Sequence, residues 1–129
     1  GRRTRIQFVE SNVRKLLRKV SGNGKPELTS YDFIYCAGLF DYLPDAVCTQ
    51  LLELLYGWLT PGGLLVATNV ETTRAIELSL EYMLDWKLLC RSQTEFEALA
   101  PRQAPRDLVR TVEVDQGYNL FLEVRKPVR

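Results

Sequence analysis

Apolar and polar positions alternate over residues 6–10 (Ile6-Gln7-Phe8-Val9-Glu10), which predicts a strand. Ser11-Asn12 then offers a helix N-cap, and Val13, Leu16, Leu17 and Val20 recur at helical spacing with basic residues between them. Gly22, Asn23, Gly24 and Pro26 mark residues 21–30 as loop. Residues 31–37 are a mostly apolar run of the kind that suits a parallel strand covered on both faces, ended by Gly38. Pro44 and Asp45 suit the first turn of a helix, and Val47, Leu51, Leu54, Leu55 and Trp58 supply its apolar stripe. Thr60-Pro61-Gly62-Gly63 stops that helix as a type II turn, and residues 64–68 form a second apolar strand ending at Asn69.

A further helix starts at Thr72 or Thr73, with Ile76, Leu80, Met83 and Leu84 on its buried face. Residues 86–90 are a short apolar link, 94–100 a short helix, and Pro101 and Pro105 lie in a loop. Residues 108–114 and 118–125 alternate strongly around Asp115-Gln116-Gly117, which predicts an antiparallel hairpin. Alternating strands and helices imply an α/β fold with a parallel sheet, closed by that hairpin.

Composition narrows the chemistry. The 129 residues suit one domain or a large piece of one, and 46% hydrophobic with 26% charged residues is an ordinary globular balance. A net charge of +1 favours neither nucleic acid nor an acidic partner. Arg2, Arg3, Arg5, Arg14, Lys15, Arg18 and Lys19 crowd the beginning, read as a solvated helix face with nucleic-acid binding as the alternative. The absence of histidine removes the commonest general base and metal ligand. Cys36, Cys48 and Cys90 are odd in number and widely spaced, so neither a zinc site nor a disulfide framework is expected, and a reducing cytoplasm is. No apolar run is long enough for a bilayer span.

In open α/β sheets, ligands bind outside the carboxyl ends of the strands. Those ends carry Ser11 and Asn12, the run Cys36-Ala37-Gly38-Leu39-Phe40-Asp41-Tyr42, and Thr68-Asn69-Val70. The combination of Tyr31-Asp32-Phe33-Ile34, Gly38-Leu39-Phe40-Asp41-Tyr42-Leu43 and Leu59-Thr60-Pro61-Gly62-Gly63-Leu64-Leu65 resembles the second half of class I S-adenosylmethionine-dependent methyltransferases. The resemblance implies a Rossmann-like methyltransferase sheet, C-terminal half, with parallel strands and a terminal antiparallel hairpin, in the family's strand order 3-2-1-4-5-7-6. Residues 1–129 would then be a partial methyltransferase domain without the first strand, its Gly-rich loop and the acidic residue that grips the ribose. Gly22-Asn23-Gly24 precedes a strand and reads as plain loop.

The same resemblance implies S-adenosylmethionine as cofactor, with Ser11, Asn12, Cys36, Ala37, Gly38 and Leu39 on its side. Asn12 would hydrogen-bond the adenine amino group or simply cap a helix. Phe40, Asp41, Tyr42, Asn69, Tyr82 and Trp86 would face the methyl acceptor; packing is the alternative for Tyr42, Tyr82 and Trp86. No catalytic side chain and no metal are expected, because methyl transfer is an in-line displacement that depends on positioning. The run 38–43, with Tyr82-Met83-Leu84-Asp85-Trp86 and Arg91, resembles more narrowly the bacterial methyltransferases that make a 3-hydroxypalmitate methyl ester, which implies a fatty-acid carboxylate as acceptor. A chain without the preceding strands should bind S-adenosylmethionine very weakly, and the apolar edge of residues 31–37 should drive self-association. A non-catalytic α/β interaction module is the alternative to an enzyme.

Overall fold

The computed structural model describes residues 14–15, 30–71, 89–113 and 119–128. The expected strand 6–10, the helix from Thr72 or Thr73 and the turn 115–117 lie outside the described residues, as does all of the first helix except Arg14 and Lys15, which are helical.

Strand β1 (Tyr31–Cys36) precedes a 3-10 turn (Phe40–Tyr42), helix α1 (Asp45–Gly57) and strand β2 (Leu59–Val70). Helix α2 (Gln93–Glu97), a second 3-10 turn (Arg106–Leu108), β3 (Val109–Glu113) and β4 (Asn119–Arg125) complete the order. The four strands form one sheet in the order β1-β2-β4-β3. β1 and β2 are parallel, and β4 lies antiparallel between β2 and β3. The terminal hairpin thus inserts its second strand beside β2.

Pro44 is the N-cap residue of α1, with φ −61°, and Asp45 opens the first turn, where its charge meets the helix dipole. The buried stripe is Cys48, Leu51, Leu52, Leu55 and Tyr56. It corrects the expected one: Val47, Leu54 and Trp58 are only half-buried. The spacing 48, 51, 52, 55 is a closer match to one helical face, and the small thiol of Cys48 lets that face approach the sheet. At the far end, Lys126 Nζ donates to the carbonyls of Tyr56 (3.4 Å) and Leu59 (2.9 Å) and lies 5.3 Å from the Tyr56 ring centroid. A cation there offsets the negative helix terminus.

The Thr60-Pro61-Gly62-Gly63 turn sits inside β2 instead of before it. The register jumps from Tyr31↔Leu59 to Phe33↔Leu64, so the turn is an excursion between two paired stretches of one strand. Gly62 has φ +81°, as a type II turn requires. The excursion is held because the Gly62 amide donates to the carbonyls of Lys126 and Pro127, and the Lys126 amide donates to the Gly63 carbonyl.

One sheet face carries Leu65, Ala67, Leu120, Leu122 and Val124, all buried, and packs with α1, Phe40 and Phe96 into a single core. α2 joins it through Phe96, and a complete capping box starts the helix: the Glu95 amide donates to Ser92 Oγ (3.2 Å) and the Ser92 amide to Glu95 Oε1 (3.0 Å). On β1, Ile34 and Cys36 face this core, whereas Tyr31, Phe33 and Tyr35 are 44%, 57% and 54% exposed. The expectation that this strand is covered on both faces is therefore corrected. β1 is the last strand of the described sheet, and among the described residues only its helix-facing side is packed. Among the described residues no helix is long and apolar enough to cross a membrane.

Candidate functional site at the carboxyl ends of the parallel strands

β1 and β2 run in register from Phe33↔Leu64 to Cys36↔Ala67, so their carboxyl ends lie side by side. Beyond Cys36 the chain turns at Gly38, whose φ of +69° is a conformation that side-chain-bearing residues rarely adopt. The Gly38 amide donates to Thr68 Oγ1 at 3.1 Å, tying the loop to the last residues of β2. Ala37 and Gly38 are exposed and Cys36 and Leu39 half-buried, and a Cβ built at Gly38 would meet nothing within 4 Å. The result is an open ledge, mostly backbone and small apolar groups.

Behind the ledge stands a buried polar network. Asp41 Oδ1 accepts the Val70 amide at 2.6 Å, and the Asp41 carbonyl accepts the Leu89 amide at 2.6 Å. Asn69 Nδ2 donates to the carbonyls of Leu89 (3.0 Å) and Val70 (3.2 Å). Arg91, 3% exposed, fills the centre. Its Nη1 donates to the Phe40 carbonyl at 2.7 Å and to Asn69 Oδ1. Its Nη2 donates to the Leu43 carbonyl at 2.6 Å and lies 2.9 Å from Asp45 Oδ1, which also accepts from Nε at 3.0 Å. Every guanidinium nitrogen is thereby engaged, which is what a buried cation requires.

Of the residues singled out in the sequence, Cys36, Ala37, Gly38 and Leu39 come together on the ledge, and Tyr42 projects beside it, 54% exposed. Phe40, Asp41 and Asn69 were expected to face an acceptor and are instead buried. The Phe40 ring packs against Phe96, centroids 6.4 Å apart, and both polar side chains spend their hydrogen bonds on backbone and on Arg91. The reason is local: a 3-10 turn sends Phe40 and Asp41 inward and leaves Tyr42 outside. Ser11, Asn12, Tyr82 and Trp86 lie outside the described residues.

The sequence pointed to no role for Asp45 at this site, placed Thr68 there only as a strand end, and did not single out Arg91 as the buried centre. A lone arginine directly after the apolar link Leu88-Leu89-Cys90 was the available signal, since a buried charge demands partners. Burial pushes the thiols of Cys36, Cys48 and Cys90 up, Cys48 to about 11, and the charge of Asp41 adds to the effect at Cys90. The ledge thus offers no ready thiolate. Among the described residues no group of histidine, cysteine and carboxylate side chains is arranged to hold a metal ion.

No protein-family model matches the chain, and no curated protein does. Solved structures do match. An O-methyltransferase family protein from Burkholderia thailandensis aligns with TM-score 0.65 and 15% identity, over 94% of this chain and 36% of that one. Human N-acetylserotonin methyltransferase aligns with TM-score 0.57 and 17% identity, over 74% and 29%. The N-methyltransferase NodS from Bradyrhizobium japonicum aligns with TM-score 0.53 and 18% identity, over 87% and 51%. These alignments span between 29% and 51% of the matched structures. What the chain shares with them is the Rossmann-like methyltransferase fold, in the portion that carries the antiparallel hairpin.

Proposed function

We propose that the protein containing this chain transfers a methyl group from S-adenosylmethionine to a small or lipid-like acceptor. The observation that supports it most is the ledge: an exposed positive-φ Gly38, bonded to Thr68, at the carboxyl ends of two parallel strands of a methyltransferase-type sheet. Backbone without side chains, flanked by half-buried Cys36 and Leu39, suits the methionine and adenine side of that cofactor. Ser11 and Asn12 belong to the same side in this proposal.

When bound, S-adenosylmethionine supplies an electrophilic methyl group. The chain's own residues then hold the acceptor in line and keep water away, which is most of what the displacement needs. Tyr42 and Leu89 are exposed apolar side chains on adjoining segments, and with Tyr82 and Trp86 they would wall the acceptor. An acceptor carboxylate is already a nucleophile and needs no general base, in keeping with a chain that has no histidine. A fatty-acid-like carboxylate is the finer form of the proposal.

Isothermal calorimetry on the full-length protein tests it. Binding of S-adenosylhomocysteine in the micromolar range, about −8 kcal/mol, is expected. Residues 1–129 alone should bind at least about a hundredfold more weakly, because the ledge is one wall of a site. Radiolabelled methyl transfer to a panel of carboxylates then identifies the acceptor. A full-length protein that binds neither S-adenosylmethionine nor its demethylated product ends the proposal.

A further inference from the structure

Arg91 joins three separate segments. Its guanidinium bonds the carbonyls of Phe40 and Leu43, which bracket the 3-10 turn, the carboxylate of Asp45 at the start of α1, and Asn69 at the end of β2. Its own amide donates to the Val70 carbonyl at 3.1 Å. The bracketed turn comes directly after the Gly38–Leu39 ledge and carries Tyr42. With every nitrogen engaged and the side chain buried, Arg91 has no donor left for an incoming anion.

We propose that Arg91 is the positioning residue of the crevice: it fixes the turn after β1 against the end of β2, so that ledge and Tyr42 are held ready for ligand, and it does not itself bind the acceptor's carboxylate. What the ledge binds rests on the methyl-transfer reading; the fixing of the turn does not. The geometry needs arginine specifically. A planar fork reaches acceptors in several directions at once, whereas a lysine carries the same charge on a single nitrogen and cannot span them.

The test compares wild type, Arg91→Lys and Leu55→Ala in the full-length protein. Leu55 is a core residue in the last turn of α1, away from the crevice, and serves as a control for general destabilisation. Two readouts are taken: hydrogen exchange at the amides of Gly38, Tyr42 and Leu43, and S-adenosylhomocysteine affinity. In Arg91→Lys those amides should exchange about tenfold faster than in wild type and the affinity should fall about tenfold, while β4 amides keep their protection. Leu55→Ala, even with an equal loss of melting temperature, should leave both readouts near wild type. Equal effects of the two variants, or unchanged exchange at the turn in Arg91→Lys, overturn the proposal. A wild type that binds no S-adenosylhomocysteine, with the turn still loosened in Arg91→Lys, sinks the methyl-transfer reading and leaves the positioning role standing. If Arg91→Lys does not fold, Asp45→Ala decides, since Asp45 is largely exposed and its loss removes one partner. About threefold faster exchange at the same amides supports the proposal, and no change overturns it.

Discussion

Cys48 shows how a single side chain couples the core to the crevice. Its side chain is fully buried, with Sγ 3.4 Å from the Leu43 carbonyl, one of the acceptors of Arg91. Burial raises its pKa from 9.0 to about 11, against a smaller lowering by Arg91. The neutral thiol is therefore the folded form. Between pH 9 and 11 the unfolded chain loses a proton that the folded chain keeps, so stability must fall as pH rises through that window. Urea unfolding of wild type and Cys48→Ala at several alkaline pH values checks this. The difference between the two should shift against wild type by ~2 kcal/mol across the window. A constant difference would mean that the thiol is not desolvated. The sequence excluded the cysteine from a disulfide framework; its place under the turn was not legible, because nothing in local spacing says which carbonyl a buried thiol meets.

At the scale of elements, the helices and strands obey local rules wherever local rules suffice. Ser92 and Glu95 stand three apart before Phe96, a capping-box spacing, and α2 begins there, one residue earlier than the expected helix. Hydrogen bonds from the Ser92 amide, first, and the Ser92 hydroxyl hold the Glu95 carboxyl below its usual 4.5. A depressed carboxyl contributes stability above its unfolded value and loses it as pH falls through the folded one. Ser92→Ala removes the N-cap acceptor of the Glu95 amide and should cost about 1 kcal/mol at neutral pH. That penalty should shrink as pH drops below 4.5, in parallel thermal melts of both proteins. A penalty independent of acid would assign the whole effect to the bond that the hydroxyl accepts from the Glu95 amide. The Pro61-Gly62 turn was equally readable as a turn, since φ +81° needs glycine. Its position inside a strand was not readable, because the pairing that extends β2 past it comes from Tyr31 and Lys126, on the order of thirty or more residues away in sequence.

For the molecule as a whole, the open side of β1 carries the main consequence. Phe33 and Tyr35 stack with ring centroids 6.4 Å apart and planes 10° apart, and both are more than half exposed. Beside them a groove of about 250 Å³ is lined by Tyr31, Phe33, Ile34, Leu55 and Trp58. An apolar strand at a sheet edge recruits another strand. Residues 1–129 on their own should self-associate at concentrations on the order of tens of micromolar, seen in sedimentation velocity, and Phe33→Lys with Tyr35→Lys should restore a monomer. A wild-type chain that sediments as a monomer throughout that range removes this expectation. An interaction module would use the same aromatic face, so the calorimetric test of cofactor binding separates the two readings.

Hydrophobic periodicity and turn chemistry determined the elements: β1, α1, β2 and the closing hairpin are written in apolar runs, a proline and paired glycines that act over a few residues. Their order determined the fold class, because alternating strands and helices have few ways to bury their apolar faces. Tertiary structure alone decided which side chains at the strand ends look outward. Phe40, Asp41, Tyr42 and Asn69 are indistinguishable by local pattern, yet only Tyr42 stays in solvent. The reason is that Arg91, far along the chain from Asp45 and Leu43, must have all its nitrogens paired once it is buried, and that demand folds the turn inward around it.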